Sequence, residues 1–188
     1  MLELKDGFVL YHGSYCEVKE PDLAKCAKRK DFGQGFYLTT SKEQAESFLR
    51  TSIAKAIATG TIEEGQKFGY ISTSEFKFSG NLETLIFENA DVDWLHCIAA
   101  HRKKKMFIEV EREMARYDII AGKIADDATN ATLTAYLAGA FGTAGDKEAD
   151  DFCIRQLLPN KLKDQYCFKT EAAIKCLKFV KGEKIWLK

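Results

Sequence analysis

Predicted strands are frequent in the first two thirds of this 188-residue chain and again at its C-terminal end, and two predicted helical stretches, at 133–141 and 149–158, lie between these regions. Apolar, β-rich runs that end in small or hydroxyl residues occupy positions 7–14 and 35–40, and further strands are predicted at 165–168 and within 178–187. A parallel α/β sheet needs strands and helices that alternate along the whole chain. The order strand-rich, helical, strand-rich therefore predicts an α+β fold.

Caps, turn residues and periodicity predict the remaining elements. The pattern S-x-x-Q at 41–44 is a capping box, and the apolar residues after it recur at helical spacing. The apolar run at 106–110 is too short to be assigned to a helix or a strand. Strands are further predicted at 68–78 and 82–87, on either side of a turn at 79–81, and at 117–122, while 178–180 and 185–187 form one strand or a strand pair. Helices are further predicted from 91 onwards, around 133–141 and 149–158, and at 170–177.

The composition predicts one soluble globular domain, residues 1–188. Hydrophobic residues make up 46% of the chain and charged residues 30%, which excludes disorder, collagen-like repeats and a coiled coil. No Pro-rich or Gly/Ser-rich stretch separates two halves. The 28 basic and 28 acidic residues cancel, so the whole protein has no field that attracts nucleic acid or anionic lipid. Such a partner must bind through a local patch.

The start of the chain and its cysteines indicate a cytoplasmic protein without a membrane partner. Charges at Glu3, Lys5 and Asp6 interrupt the apolar start before a signal sequence could form, and no later stretch is long enough to span a membrane. Six cysteines are present, and no pair has the C-x-x-C spacing. We expect these cysteines to be reduced and mostly structural.

Three short features carry residues that are suited to a functional site. His12 and Gly13 come at the end of the first predicted strand, the string D-F-G-Q-G-F-Y spans 31–37, and Gln165 opens a late strand. Each has an ordinary structural explanation when taken alone. A histidine at a strand end is usually structural, a G-x-G string is usually a turn, and a tyrosine in a β pattern is usually in the core.

The order of these features resembles the ADP-ribosyltransferase superfamily, in the His-Tyr-Glu branch that includes diphtheria-toxin-like and poly(ADP-ribose) polymerase catalytic domains. Y-H-G-S at 11–14 is similar to the family's first strand, and F-G-Q-G-F-Y-L at 32–38 is similar to its FGxGxY string. D-Q-Y-C-F at 164–168 is similar to the strand that normally carries the catalytic Glu. Gln165 stands where that Glu is expected.

Within that superfamily the chain most resembles a bacterial family, domain of unknown function 3990. The similarity covers most of the chain and includes D-F-G-Q-G-F-Y-L-T at 31–39, the pair Trp94-Leu95, the string Y-D-I-I-A-G-K-I-A-D-D at 117–127, and Gln165. The resemblance implies a split antiparallel β core with flanking helices, in which His12, Tyr37 and Gln165 surround one cleft.

The resemblance also implies roles for individual residues in binding NAD as a substrate, without a metal. His12 would contact the adenosine-side ribose, the main chain of Gly13 would pair with the nicotinamide amide, and Tyr37 would stack on the nicotinamide ring. Gly33 and Gly35 would bend the loop, and Asp31 would either bond ribose hydroxyls or brace that loop. The implied catalytic residues are His12, Tyr37 and Gln165. The implied NAD-binding residues are His12, Gly13, Ser14, Asp31, Gly33, Gly35, Phe36 and Tyr37.

The chemistry of this family makes Gln165 the decisive position. Cleavage of the bond between nicotinamide and ribose develops an oxocarbenium-like cation. In the family, the Glu bonds the nicotinamide-ribose hydroxyl, and its charge stabilises the cation and helps to activate the acceptor. A Gln keeps the hydrogen bond but supplies neither a full charge nor a general base.

The resemblance therefore implies an NAD-dependent mono-ADP-ribosyltransferase that releases nicotinamide. Its acceptor is a protein, a nucleic acid or a small molecule. The alternative is a catalytically weak or inactive module that binds NAD or ADP-ribose. A bacterial toxin component held inactive by an inhibitory partner protein is compatible with either interpretation.

Other candidate residues are expected to be structural. Asp126 and Asp127 are adjacent acids without a cluster of metal ligands, typical of a cap or a turn. The basic run 102–105 is expected to be a solvated loop between a helix and a strand. His96, Cys97 and His101 have no identifiable triad partner, and Glu171 is expected at a helix start.

Overall fold

The structure is a computed structural model that describes residues 3–125, 127–157 and 162–187. The described strands are β1 (Val9–Ser14), β2 (Phe36–Leu38), β3 (Phe68–Phe76), β4 (Thr84–Ile86), β5 (Ile119–Lys123), β6 (Asp164–Phe168) and β7 (Leu177–Trp186). The described helices are α1 (Lys42–Ala58), α2 (Val92–Arg102), α3 (Ile108–Met114), α4 (Asp127–Leu137), α5 (Lys147–Leu157) and α6 (Glu171–Ile174). The predicted α+β class is confirmed.

The described strands form two sheets, with the orders β1-β3-β7 and β2-β6-β5-β4. All pairs in the first sheet are antiparallel, whereas β4 and β5 in the second sheet run parallel. The expectation of an entirely antiparallel core is therefore wrong for this pair. Parallel neighbours need a long crossover, and α2 and α3 supply it here between β4 and β5.

The two sheets meet where the middle of β1 passes the end of β2. The amide of Tyr11 donates to the carbonyl of Thr39 at 2.8 Å, and the amide of Thr39 donates back to the carbonyl of Tyr11 at 3.0 Å. This single bridge lies outside both sheets. It places His12, the next residue on β1, beside the main chain of β2.

Helix α1 packs on one face of the first sheet and begins as the sequence predicts. The Ser41 hydroxyl accepts from the amide of Gln44 at 3.2 Å and caps the helix. The Gln44 side chain accepts instead from the hydroxyl of Thr39 at 3.2 Å, so the reciprocal half of the capping box is not formed. Gly13 lets the helix approach, because a Cβ there would lie 2.0 Å from the carbonyl oxygen of Ala45.

Helix α2 forms the centre of the core behind the second sheet. Trp94, Leu95 and Ile98 are fully buried, and Asp91 caps the helix by accepting from the Trp94 amide at 3.1 Å. The Trp94 indole donates to the carbonyl of Lys123 at 2.9 Å, which fixes the helix against the end of β5. The helix therefore has a defined register relative to the strand that lies beside Gln165.

One local prediction is wrong, and two others are made more precise. The strands predicted on either side of the turn at 79–81 are present, but they do not pair, because β3 belongs to the first sheet and β4 to the second. Residues 177–186 form one continuous strand, one of the two alternatives, because β3 supplies a partner along most of its length. The basic run 102–105 leads into helix α3 instead of a strand, and Arg102 is the last residue of α2.

The expectations for the cysteines and for Glu171 are confirmed. All six cysteines are free, and Glu171 lies in the first turn of α6 behind the Thr170 cap. Within the described ranges, no helix combines the length and apolar character required to cross a bilayer. Asp126, one of the two adjacent acids, lies outside the described residues.

Candidate functional site

The loop before β2 is closed by the side chain of Tyr37. The phenol donates to the carbonyl of Gly33 at 2.8 Å and accepts from the amide of Phe32 at 2.9 Å. Gly33 has φ +85°, a conformation that favours glycine, and a Cβ there would lie 2.6 Å from the His101 ring. At Gly35 a Cβ would lie 2.4 Å from the sulfur of Cys167. Both glycines are therefore required by the shape of this loop.

The Asp31 carboxylate lies at the centre of the site and is 6% exposed. Its Oδ1 accepts from Nε and Nη2 of Arg102 at 2.9 and 2.6 Å, and its Oδ2 accepts from the amide of Ala125 at 3.2 Å. Oδ2 also accepts from the Gln165 side chain at 2.8 Å. Four protein donors thus surround the carboxylate. In this structure Asp31 braces the loop, the second of the two roles expected from the sequence.

Gln165 is also 6% exposed, and its amide group has a defined orientation. Its Nε2 donates to Asp31 and approaches the carbonyl of Lys123 at 3.4 Å. Both partners are acceptors, so the nitrogen must face them. The oxygen Oε1 makes no hydrogen bond with the described residues. It is therefore available to accept one from a donor such as a ribose hydroxyl.

His12 is half-buried at the junction of the two sheets. Its Nδ1 lies 2.8 Å from the carbonyl oxygen of Tyr37, and its ring lies 4.3 Å from the ring of Phe36, centre to centre. Burial lowers the pKa of His12, the bond to Tyr37 opposes that shift, and nearby Lys30 adds to it. A neutral imidazole that donates from Nδ1 has an unprotonated Nε2. That nitrogen can accept a hydrogen bond from a ligand hydroxyl.

The three expected catalytic residues lie on neighbouring strands, but their side chains do not all lie on one face of a sheet. Tyr37 pairs with Cys167, and Gln165 lies two residues further along β6, so Tyr37 and Gln165 share a sheet face. His12 contacts β2 through the Tyr37 carbonyl and through Phe36, whose side chain lies on the opposite face of the sheet.

Gly13 and Ser14 follow His12 on β1, and they contact α1 and β3. The missing Cβ of Gly13 makes room for α1, which gives this glycine a structural reason, and its main-chain pairing with nicotinamide stays a prediction. Ser14 is 7% exposed and pairs with Tyr70 of β3.

The phenol of Tyr37 remains protonated at neutral pH. Burial raises its pKa well above the ordinary value, and the thiol of Cys167 and the carboxylate of Asp31 raise it further. The hydroxyl is bound to the loop main chain on both sides of the turn. Tyr37 therefore fixes the loop that carries Asp31, and its stacking on a nicotinamide ring stays a prediction.

Arg102 is the site residue that sequence reasoning missed. It was expected in a solvated loop, yet its guanidinium bonds Asp31, the side chain of Asn130 at 3.0 Å and, more weakly, the carbonyl of Ala125 at 3.4 Å. The spacing of Arg102 from apolar residues earlier in the helix could have predicted its place in the site. Arg102 follows buried Leu95 by seven residues and buried Ile98 by four, so all three lie on one face of α2.

The histidines of α2 have structural partners. His96 Nε2 lies 2.7 Å from buried Asp150, which also accepts from the phenol of Tyr136 at 2.5 Å, and this network joins α2, α4 and α5. His101 Nδ1 lies 2.8 Å from the carbonyl oxygen of Cys97. Burial raises the pKa of Cys97 to about 12, which keeps the thiol protonated. A Cys97–His101 nucleophile is therefore disfavoured, as expected.

Comparison with known proteins places the chain in a family. No curated protein and no solved structure matches it. A family model described as "Protein of unknown function (DUF3990)" matches residues 8–179, a range that includes β1, the 31–37 loop, Arg102 and Gln165. Since the match covers most of the chain, the protein belongs to this DUF3990 family.

Proposed function

We propose that this protein is an NAD-dependent mono-ADP-ribosyltransferase of the ADP-ribosyltransferase superfamily, with Gln165 in the position of the catalytic Glu. One observation supports this proposal most strongly. The buried carboxylate of Asp31 lies 2.8 Å from the Gln165 amide nitrogen, so a negative charge stands directly behind the neutral residue. The charge that Gln165 lacks is thus present in its hydrogen-bond partner.

This contact makes Gln165 a better acceptor than an isolated amide. A hydrogen bond from Nε2 to a carboxylate polarises the amide and increases the negative charge on Oε1, because linked hydrogen bonds strengthen one another in a low-dielectric site. Arg102 binds Oδ1 of Asp31, whereas Gln165 binds Oδ2. The carboxylate is therefore nearer to Gln165 than the compensating guanidinium is. Fixed dipoles of this kind stabilise a developing cation.

The proposed reaction breaks the bond between the nicotinamide nitrogen and C1′ of the ribose. The bonding electron pair leaves with nicotinamide, which departs as a neutral molecule, and the ribose carries the positive charge. A nucleophilic atom of the acceptor then bonds to C1′ and loses its proton to solvent. Oε1 of Gln165 would hold a ribose hydroxyl during this step, and Nε2 of His12 would accept from a hydroxyl of the other ribose.

The test is nicotinamide release from NAD by the purified protein, with and without a cell lysate as a source of acceptors. We expect release from the wild type and a loss of about 10²-fold in Gln165→Ala, the scale seen when one preorganised contact is removed. Glu171→Ala is the matched control, because Glu171 lies at the start of α6 and outside this site. Equal release from the wild type and Gln165→Ala would contradict the proposal.

A second candidate, a module that binds NAD without cleaving it, is favoured by one specific observation. All four hydrogen bonds of the Asp31 carboxylate go to protein groups, and the ion pair with Arg102 offsets its charge. Thermal unfolding at increasing NAD separates the candidates. Binding adds about 1.4 kcal/mol to the free energy of unfolding at ten times the Kd. Stabilisation by NAD without nicotinamide release would select the module.

A further inference from the structure

The first sheet carries an aromatic surface at the end of β1, in which Trp186 is exposed and Phe68 and Tyr70 are half-buried. It consists of Phe68, Tyr70, Lys184 and Trp186, which we call the aromatic platform. Phe68 pairs with Trp186 and Tyr70 pairs with Lys184, so the four side chains lie on one face of the sheet. Trp186 is 66% exposed, more than any other large apolar side chain of the described residues.

The opposite face of this sheet is the one that α1 covers. A Cβ on Gly69, which separates Phe68 from Tyr70 on β3, would meet Leu49 of that helix at 2.9 Å. The platform therefore faces away from α1. On its own face it is bounded by the segment 15–19, where the amide of Val18 donates to the hydroxyl of Ser72 at 2.8 Å.

The rings and the cation form an ordered group. The Phe68 ring lies 5.3 Å from the Trp186 ring and 5.9 Å from the Tyr70 ring, both in edge-type arrangements. The ammonium of Lys184 lies 3.7 Å from the centre of the Phe68 ring and 4.7 Å from that of Trp186. No carboxylate of the described residues lies within ion-pair distance of Lys184. The platform thus combines flat aromatic surface with an uncompensated positive charge.

The charges beside the platform differ on the two faces of the sheet. Lys181 and Glu183 are an odd number of residues from Lys184 on β7, so their side chains lie on the opposite face, where they pair with each other. On the face of the platform, Glu17 is paired with Lys19 at 3.2 Å. Among the described residues, Lys184 therefore remains as the unpaired charge of this face, although the chain as a whole is neutral. An anionic partner is favoured here.

We propose that the aromatic platform binds single-stranded nucleic acid, with a base stacked on Trp186 and an adjacent phosphate at Lys184. Aromatic side chains on a sheet face together with basic residues are the pattern that binds unpaired bases and their backbone. A duplex hides its base faces, and an anionic lipid surface offers no ring to stack on Trp186. A single strand offers unpaired bases that stack on the rings and phosphates that bind the lysine.

The platform lies near the proposed reaction site. Ser72, the partner of His12, is four residues from Phe68 along β3, a separation of about 13 Å on the same face. The segment 15–19 covers Ser72, so a strand held on the platform would approach His12 from beyond that segment. The inference that this strand is the acceptor rests on the proposed function, whereas binding itself does not.

Trp186 supplies its own signal for the test. The chain has two tryptophans, and the other, Trp94, is fully buried. A thymidine oligonucleotide of about 12 nucleotides, added without NAD, should quench the fluorescence of the exposed Trp186 and bind less tightly as salt is raised. An abasic oligonucleotide of equal length and charge should bind at least about tenfold more weakly, because it offers no base to stack.

Variants separate stacking from charge. With a fluorescein-labelled oligonucleotide, Trp186→Ala should weaken binding about tenfold and Trp186→Phe should recover most of that loss. Lys184→Gln should weaken binding and reduce its salt dependence. Phe78→Ala and Lys147→Gln are the matched controls, since Phe78 is 58% exposed elsewhere and Lys147 lies on α5. Circular dichroism would verify that each variant is folded.

Each outcome decides between the proposals. Equal affinity for the thymidine and abasic strands, or for polyglutamate, would overturn the inference in favour of a general polyanion surface. Absence of any binding at low salt would also overturn it. Nicotinamide release without oligonucleotide binding would reject the platform and keep the enzyme. Oligonucleotide binding without nicotinamide release would keep the platform and reject the enzyme.

Discussion

Gln165 and Asp31 form the contact on which the proposed chemistry depends. Both residues are 6% exposed, and their side chains share a hydrogen bond of 2.8 Å. At the level of sequence, Gln165→Glu restores the carboxylate that the resemblance leads one to expect. In the structure this change would place a second acid against the Asp31 carboxylate, and a like charge at that distance raises the pKa of one of the pair.

We therefore predict that Gln165→Glu lowers the free energy of unfolding at neutral pH and does not raise NAD cleavage. Asp31→Asn should offset the change, because an amide at 31 can donate to the new carboxylate. Urea unfolding of the wild type, both single variants and the double variant gives the coupling energy. We expect coupling of about 1–3 kcal/mol in favour of the double variant. Additive effects would show that the two side chains do not interact as described.

Arg102 is the cation that compensates Asp31. Its side chain is 19% exposed and that of Asp31 is 8% exposed, so the ion pair is largely removed from water. Truncation of one partner of a buried pair leaves the other charge without compensation.

We predict that Arg102→Ala costs about 3–5 kcal/mol of the free energy of unfolding and that the double variant Arg102→Ala/Asp31→Asn recovers part of it. Chemical denaturation would measure both. Arg112→Ala is the control, since Arg112 forms a surface ion pair with Glu109 that is largely exposed. A loss as small as that of the control would show that Asp31 is compensated in another way.

At the scale of elements, the close approach of α1 to the first sheet determines the position of β1. Gly13 allows this close approach, because a Cβ at residue 13 would lie 2.0 Å from the carbonyl oxygen of Ala45. Gly182, on the edge strand β7, offers a comparison. A Cβ there would lie 1.8 Å from the carboxylate of Glu17, the end of a flexible side chain that can move away.

We predict that Gly13→Ala destabilises the protein by about 3 kcal/mol or more, because a helix backbone must shift to admit the methyl group. Gly182→Ala should cost less than about 1 kcal/mol, because only a side chain moves. Thermal unfolding of the two variants tests the difference. Similar losses would argue that α1 is not held against β1 at this point.

At the scale of the whole molecule, half-buried His12 and buried His101 make stability depend on pH. Burial lowers the pKa of both His12 and His101 from the ordinary value of 6.5, and a main-chain hydrogen bond partly opposes the shift in each. Between the lowered pKa and 6.5 the unfolded chain binds protons that the folded protein does not. The two neutral histidines therefore make their full contribution to the free energy of unfolding above pH 6.5. This contribution is lost as the pH falls from 6.5 through the lowered pKa values.

We predict that the free energy of unfolding falls below pH 6.5, with a slope of up to about 1.4 kcal/mol per pH unit for each histidine. His12→Asn should reduce the slope, because the Asn amide can still donate to the Tyr37 carbonyl but does not titrate. Urea unfolding between pH 5 and 8, an interval of about three units around the histidine range, would measure both slopes. Identical slopes would exclude His12 as a source of the acid sensitivity.

The sequence by itself determined the class of fold, the cap of α1, the starts of α2 and α6, and the segments that carry the candidate site. These are local properties. The Ser41 and Thr170 caps depend on residues within one turn of the chain, and the bend at Gly33 depends on the conformation open to glycine.

Only the tertiary structure decided how distant segments combine. It paired β4 with β5 in parallel, kept β7 as one strand along β3, and brought Arg102 and Gln165 to Asp31 across separations of 71 and 134 residues. A sequence pattern records the environment of neighbours along the chain, whereas these contacts depend on which faces must be buried together. For the same reason, only the position of α1 shows that a side chain at residue 13 would meet the helix backbone.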